Sequence, residues 1–305
     1  MPVPRPDAAT DAFQAQRPRL LRLAYRMLGS LAEAEDIVQE AWLRWQRADR
    51  GAVAAPAAYL SRTVTRLCLD VMKSARARRE TYFGAWLPDP LADAAAAPED
   101  ETMRLDELTY TLMLALERLS PLERAAFLLH DVFGLPSGEV AETLERDAAA
   151  VRQLAARARK HVRAARPRYP VAREEGERIA RAFFAASTSG DIAALSGLLA
   201  EDVVLISDGG GKVIAFRNPI RGMQRVLRLF AGLYRKRAQM PTTFIRPLWI
   251  DGLPGFLSRA RGDVLQTTAL EIAEGRIAAI YVTRNPDKLT HIADAAGDEA
   301  PPARP

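Results

Sequence analysis

Residues 207–213 read SDGGGKV, and three consecutive glycines before Lys212 have the composition of a loop that wraps backbone amides around a phosphate. The spacing excludes that chemistry. A Walker-type loop has the pattern G-x-x-x-x-G-K-[ST] and leads from a strand into a helix whose N-terminus receives the phosphate. Here Ile206 holds the first glycine position, Val213 follows Lys212, and the next segment, KVIAF (212–216), is β-type. What remains is a tight connection between VVLIS (203–207) and KVIAF, in which glycine accepts positive φ at little cost. A simple hairpin needs one or two glycines. The third implies that another backbone approaches closely, or that the loop changes shape.

Other residues able to do chemistry are sparse. The three histidines (His130, His161 and His291) and the single Cys68 have no metal-ligand spacing, so neither a metal nor a cofactor is expected. Asp208, Tyr234, Arg246, Tyr281 and His291 are candidates to line a pocket. They lack a recognisable catalytic spacing, and an acid–base enzyme stays open only as an alternative.

Val140 to Arg159 gives the sharpest local signal. Val140, Ala141 and Leu144, then after a short turn Val151, Leu154, Ala155 and Ala158, have the spacing of two helices packed in a helix-turn-helix. Arg152, Gln153, Ala156, Arg157 and Lys160 share the outward face, where Arg and Gln can contact base edges, and Arg163 and Arg166 extend the positive stripe. Glu145 stands in the turn where glycine is usual, and Arg146 where an apolar residue is expected. An alanine-rich hairpin with a solvated arginine face is the bland alternative.

These groups must be positioned by a chain of 305 residues with 43 basic and 38 acidic side chains. Arginines cluster at 62–79 and 152–168 with an acidic stretch between them, the pattern of a modular nucleic-acid binder. One cysteine excludes a disulfide framework. The first residues do not read as a signal peptide, and no apolar run is long enough to span a bilayer, so a cytoplasmic protein with no membrane partner is expected.

Helical periodicity fills 13–79: RLLRLAYRMLG ends at Gly29 as a C-terminal cap, and Ser30 with Glu33 has the form of a capping box. Residues 80–102 carry three prolines and no sustained period, and read as an acidic linker with the aromatic motif YFGAWLPDP. Residues 103–168 are helical again, with starts at Ser120-Pro121, Ser137 and Asp147. Residues 174–290 combine helices with β-type segments and predict an α+β domain with a strongly curved antiparallel sheet. Residues 291–305 are expected to be a disordered tail.

The segments AYRMLGSLAEAEDIVQEAWLRW (24–45), PAAYLSRTVTRLCLD (56–70) and LSPLERAAFLLHDVFGLPSGEVAETL with AVRQLAARAR (119–159) resemble regions two and four of a bacterial extracytoplasmic-function sigma factor of the sigma-70 family. Three further motifs, YFGAWLPDP (82–90), DGGGK (208–212) and NPDKL (285–289), are similar to those of a subgroup carrying a fused SnoaL-like cone. Ala85 stands where proline is common in that subgroup, and Asp89 replaces glutamate.

The resemblance implies a multidomain chain: two all-α domains, region two (13–79) and region four (103–168), followed by an α+β cone (174–290). It implies no enzyme. Glu35, Asp36, Gln39 and Glu40 would dock on core RNA polymerase. Arg47, Arg50, Arg62, Arg66, Lys73 and Arg76 would hold melted promoter DNA at the −10 element. Arg152, Gln153, Ala156, Arg157 and Lys160 would read the −35 element. Tyr82, Trp86, Leu87 and Pro88 of the linker would meet Asp208, Gly209, Gly210, Gly211 and Lys212, with Asn285, Pro286, Asp287, Lys288 and Leu289 completing the contact. The cone would then regulate the sigma module in cis, with no separate anti-sigma protein required, and could hold a small-molecule effector. The alternative is a SnoaL-like isomerase or cyclase, or a ligand-binding regulator with a helix-turn-helix.

Overall fold

Helix-stop signals divide the N-terminal third. In the computed structural model, which describes residues 8–80, 82, 84–92, 110–165, 171–236, 241–260 and 263–295, helix α1 (Ala8–Leu28) ends where Gly29 takes φ 71°. Helix α2 (Leu31–Arg47) follows directly, and α3 (Pro56–Glu80) begins on a proline, which lacks only an amide that the first turn leaves unbonded anyway. Ser30 holds the N-cap position of α2, yet its side chain makes no capping hydrogen bond, so the expected capping box is absent there. Leu20, Leu23, Met27, Ile37, Val38, Trp45, Leu60 and Val64 are buried together with Cys68.

Helices α4 (Tyr110–Glu117), α5 (Pro121–Phe127), α6 (Ser137–Leu144) and α7 (Ala148–Ala165) follow. Ser120 and Glu123 form the capping box at α5, and Asp147 accepts the Ala150 amide at 2.8 Å to start α7. Ser137 is the first helical residue of α6, whose N-cap position falls on Pro136. The described residues of Met1–Glu80 and Ala115–Ala165 form one unit, and those of Thr81–Leu114 and Arg166–Pro305 form a second. In the first, Arg124 is almost fully buried and donates to the Met27 carbonyl and to Glu117, both at 2.7 Å, fastening α5 to the end of α1.

The second unit is built on one mixed sheet in the order β2-β1-β6-β5-β4-β3, from β1 (Leu199–Asp208), β2 (Ile220–Arg221), β3 (Thr243–Ile250), β4 (Leu253–Ala260), β5 (Val264–Ala273) and β6 (Arg276–Thr283). The expected antiparallel ladders are joined by one parallel pairing, β1 with β6. Helices α8 (Arg173–Ser189), α9 (Ile192–Leu198) and α10 (Met223–Arg235) cover one face through Phe183, Leu205, Val226, Phe256, Leu270 and Ile280. The other face buries Leu87 and Tyr110 with Leu257, Ala269, Tyr281, Leu289 and Ile292. Because side chains alternate along a strand, neighbours such as Leu205 and Ile206, or Ile280 and Tyr281, serve opposite cores.

Two expectations are corrected, and one strand was not anticipated. KVIAF (212–216) is not a strand; the chain loops on to the short β2 before it pairs with β1. β4 carries Pro254 and Gly255, residues that argue against a strand, but its ladder needs that glycine: a Cβ at Gly255 would lie 2.0 Å from the Thr268 carbonyl oxygen. The tail does not start at 291, because α11 (Thr290–Ala295) buries Ile292 and Ala293; residues 296–305 lie outside the described ones. Gly255→Ala should therefore force β4 and β5 apart and destabilise the chain by about 1–3 kcal/mol, read as a lower urea midpoint.

Candidate functional site

Two constellations emerge, one in each unit. In the helical unit, α6 and α7 bury Val140, Ala141, Leu144, Val151, Leu154, Ala155 and Ala158. The turn between them holds Glu145 at φ 54°, the left-handed conformation that glycine usually supplies. Packing this seam leaves Arg152, Gln153, Ala156, Arg157 and Lys160 exposed along α7. Arg157 is engaged: its Nε donates to Glu123 at 2.7 Å, and that bond is the main reason the Glu123 carboxyl sits below the usual range.

On α2, Glu35, Asp36 and Gln39 are exposed, while Glu40 is half-buried and pairs with Arg44 at 2.8 Å. The opposite side of this helix buries Ile37, Val38, Ala41 and Trp45, and Trp42 packs on Phe13. Arg47 is exposed, and Lys73 pairs with Asp70 at 2.9 Å. Arg62 and Arg66 are already paired. Arg62 meets Glu142 at 2.6 Å and Arg66 meets Glu145 at 3.0 Å, both acids coming from α6 and the turn after it. The side chains of Arg50 and Arg76 fall outside the described residues. Sequence periodicity gave no sign of these acid partners, since 76 or more residues separate each pair of interacting groups.

In the sheet unit the focus is Asp208, fully buried at the end of β1. One carboxylate oxygen accepts from the Tyr82 hydroxyl at 2.6 Å and from the Gly210 amide at 3.0 Å. The other accepts from the Leu87 amide and the Lys288 ammonium, both at 2.9 Å. Lys288 also donates to the Leu87 carbonyl and lies 4.1 Å from the Trp86 ring centroid, a cation–π contact. Asn285 donates from Nδ2 to the Tyr82 oxygen at 3.1 Å. Burial first, and then the Asp208 bond, raise the Tyr82 hydroxyl well above its usual range, so it remains a protonated donor.

The structure thus brings Tyr82, Trp86 and Leu87 together with Asp208, Gly210, Asn285 and Lys288. Pro88 is buried beside them, its carbonyl accepting from the Tyr110 hydroxyl at 3.2 Å, and Leu289 shares the core of Leu87. Gly211, Lys212, Pro286 and Asp287 are exposed; Lys212 and Asp287 pair with each other at 2.7 Å. The glycine run also has its reason. A Cβ at Gly209 would lie 2.1 Å from the Val213 carbonyl oxygen, and Gly210, at φ 62°, would collide with the Asn285 amide.

Sequence reasoning missed further holders of the linker. Asp251 accepts from the Leu91 amide at 3.1 Å and His291 meets the Pro90 carbonyl at 2.7 Å. Neither has a local signal, because each is defined only by what the chain brings against it. Of the five residues expected to line a pocket, Tyr234 alone does so; Asp208 points to the opposite sheet face from its neighbour Ser207. Among the described residues no cluster of His, Cys, Asp or Glu could hold a metal, and no helix is long and apolar enough to cross a membrane.

Family models for sigma-70 region 2 and sigma-70 region 4 match residues 12–79 and 109–162. The chain is 38% identical to the ECF RNA polymerase sigma factor SigJ of Mycobacterium tuberculosis, covering 91% of this chain and 92% of that one. It is 34% identical to a probable ECF RNA polymerase sigma factor, SigI, of the same organism, over 93% and 95% of the two chains. The crystal structure of M. tuberculosis SigJ superposes with a TM-score of 0.72 at 33% identity, covering 95% of this chain and 99% of that one. Two helical sigma segments, a linker fastened by Asp208 and Lys288, and this similarity along nearly the whole length give one conclusion: the chain belongs to the extracytoplasmic-function sigma factors of the sigma-70 family, transcription-initiation factors and not enzymes.

Proposed function

We propose that the chain directs core RNA polymerase to a defined set of promoters in the cytoplasm, and that its C-terminal domain (174–290) controls this activity in cis. Segment 13–79 docks on polymerase through Glu35, Asp36, Gln39 and Glu40, where complementary charge sets orientation and association rate. Arg47, Arg50, Arg62, Arg66, Lys73 and Arg76 of the same segment hold the melted −10 strand. Segment 103–168 reads the −35 element with Arg152, Gln153, Ala156, Arg157 and Lys160, at about 1–3 kcal/mol of discrimination for each good bidentate contact.

One observation carries the regulatory part: a buried ion pair, Asp208 with Lys288, grips both the amide and the carbonyl of Leu87 in the linker that joins the two sigma segments. A linker held this way restricts how the segments before and after it can move. A domain that holds it can do the work of a separate anti-sigma protein. Removing one partner of a buried pair strands the other charge, at a cost of about 3–5 kcal/mol. Asp208→Asn should release residues 82–92, exposing them to chymotrypsin, and should change transcript yield in run-off transcription with purified core polymerase on fragmented genomic DNA. Discrete transcripts sharing an upstream motif support the promoter reading. Equal yields from wild type and variant, with the linker cut, would sink regulation in cis.

The pairs Arg62–Glu142 and Arg66–Glu145 lead to a second expectation. Both are substantially exposed, so each contributes no more than about 1 kcal/mol to stability. For Arg62 and Arg66 to meet DNA phosphates they must exchange these carboxylates. The double variant Glu142→Gln, Glu145→Gln should keep its unfolding midpoint and bind a single-stranded −10 oligonucleotide several-fold more tightly at low salt. The gain should fade as salt rises, since counterion release dominates such binding. Unchanged affinity in a fluorescence anisotropy titration would remove Arg62 and Arg66 from the −10 site.

A further inference from the structure

The sheet face turned toward α8 and α10 encloses a cavity of about 760 Å³, within the range that accommodates a drug-sized ligand. Its walls are mainly aromatic and aliphatic. Phe183 packs edge-on against Phe230 at 5.5 Å, and Phe184 packs against Phe256 at 5.3 Å. Ser187, Thr188, Ser207, Gln266 and Thr268 add neutral polar groups, and the lining residues include no Asp, Glu or His.

Arg284 stands apart in this wall. Its Nη1 donates to the Ile214 carbonyl at 2.5 Å, but its Nε is buried without a hydrogen-bond partner. No carboxylate of the described residues pairs with it. Partial burial pulls its guanidinium pKa down. A partly buried cation in a cavity whose lining has no acidic residue leaves its counter-charge to be supplied by an anion.

We propose that this cavity binds a small organic carboxylate with an apolar body the size of one or two rings, the body against the phenylalanines and the carboxylate on Arg284. The side-on edge of a guanidinium, which includes Nε, takes a carboxylate through two parallel N–H···O bonds. A cation would meet the Arg284 charge, and a neutral ligand would leave that charge uncompensated.

The site also deepens the regulatory reading, on which its consequence rests. Strand alternation sends Ser207 and Arg284 into the cavity, while Asp208 and Asn285 face the linker. The backbone amides of Arg284 and Asn285 both donate to the Asp208 carbonyl, at 2.7 and 3.1 Å. A ligand that draws on Arg284 therefore acts one peptide away from the groups that hold the linker.

The test uses full-length protein and two fluorescent probes: the carboxylate 2-naphthoate and its neutral analogue 2-naphthamide. The expected result is saturable binding of one anion per chain, weakened about tenfold by Arg284→Gln and only partly restored by Arg284→Lys, which keeps the charge but loses the two-bond edge. The neutral probe should bind both variants nearly as it binds the wild type. Leu229→Trp, which puts an indole into the cavity, should weaken binding of both probes, with circular dichroism showing that each variant is folded. No saturable binding, equal weakening of both probes by Arg284→Gln, or undiminished binding to Leu229→Trp would overturn the proposal. Polymerase and DNA are absent from this assay, so such a failure leaves the promoter reading standing, and a failed transcription assay leaves the cavity standing.

Discussion

The Asp208 carboxylate is the constraint on which the sheet unit's hold over the linker depends. A fully buried carboxylate is tolerable only when its charge is compensated and its lone pairs are occupied. Here it takes four donors: a phenol, a lysine and two backbone amides. Two of these come from the linker, so the linker completes a polar site that the sheet alone leaves unfinished. The same logic runs in reverse for Lys288, whose ammonium finds its acceptors in Asp208 and Leu87 and its aromatic cover in Trp86. Three sequence motifs that look unrelated in the primary structure are parts of one electrostatic unit.

Around that unit, the apolar contacts set the register. Leu87, Tyr110, Leu289 and Ile292 bury themselves against the face of the sheet that the long helices do not cover. The linker is thus a structural layer of the domain, held by a hydrophobic cluster and by the polar site together. The helix-covered face has the opposite character, an aromatic cavity with one unpaired guanidinium nitrogen. The two faces share their backbone, and residues 207–208 and 284–285 pass from one to the other in a single step.

The helical unit follows a different electrostatic plan. Its arginines are numerous and mostly near the surface, where pairing with Glu123, Glu142 and Glu145 contributes little to stability. Such exposed pairs are easily exchanged for other partners. Arg124 is the exception: buried between the Met27 carbonyl and Glu117, it acts as a structural tie and is unavailable to any partner.

The sequence alone determined whatever depends on neighbours a few residues away. Helix periodicity, the Gly29 stop, the caps at Ser120 and Asp147, the buried seam of the helix-turn-helix and the failure of the glycine run as a phosphate loop were all legible, because backbone sterics and amphipathic spacing are local. The excess of glycine in 209–211 pointed to another backbone approaching or a change of shape; the neighbours found are the loop's own Val213 carbonyl and the Asn285 side chain. Tertiary structure decided the rest. β4 forms despite Pro254 and Gly255, because both neighbouring strands supply ladder bonds and the missing side chain lets β5 come close. KVIAF has strand propensity but no strand to pair with, and residues 291–295 become helical because Ile292 has a core to enter. The acid partners of Arg62 and Arg66, the burial of Asp208 and the isolation of Arg284 arise only where distant segments meet. Charge in a protein takes its meaning from the groups and the dielectric around it, and a sequence specifies these only once it has folded.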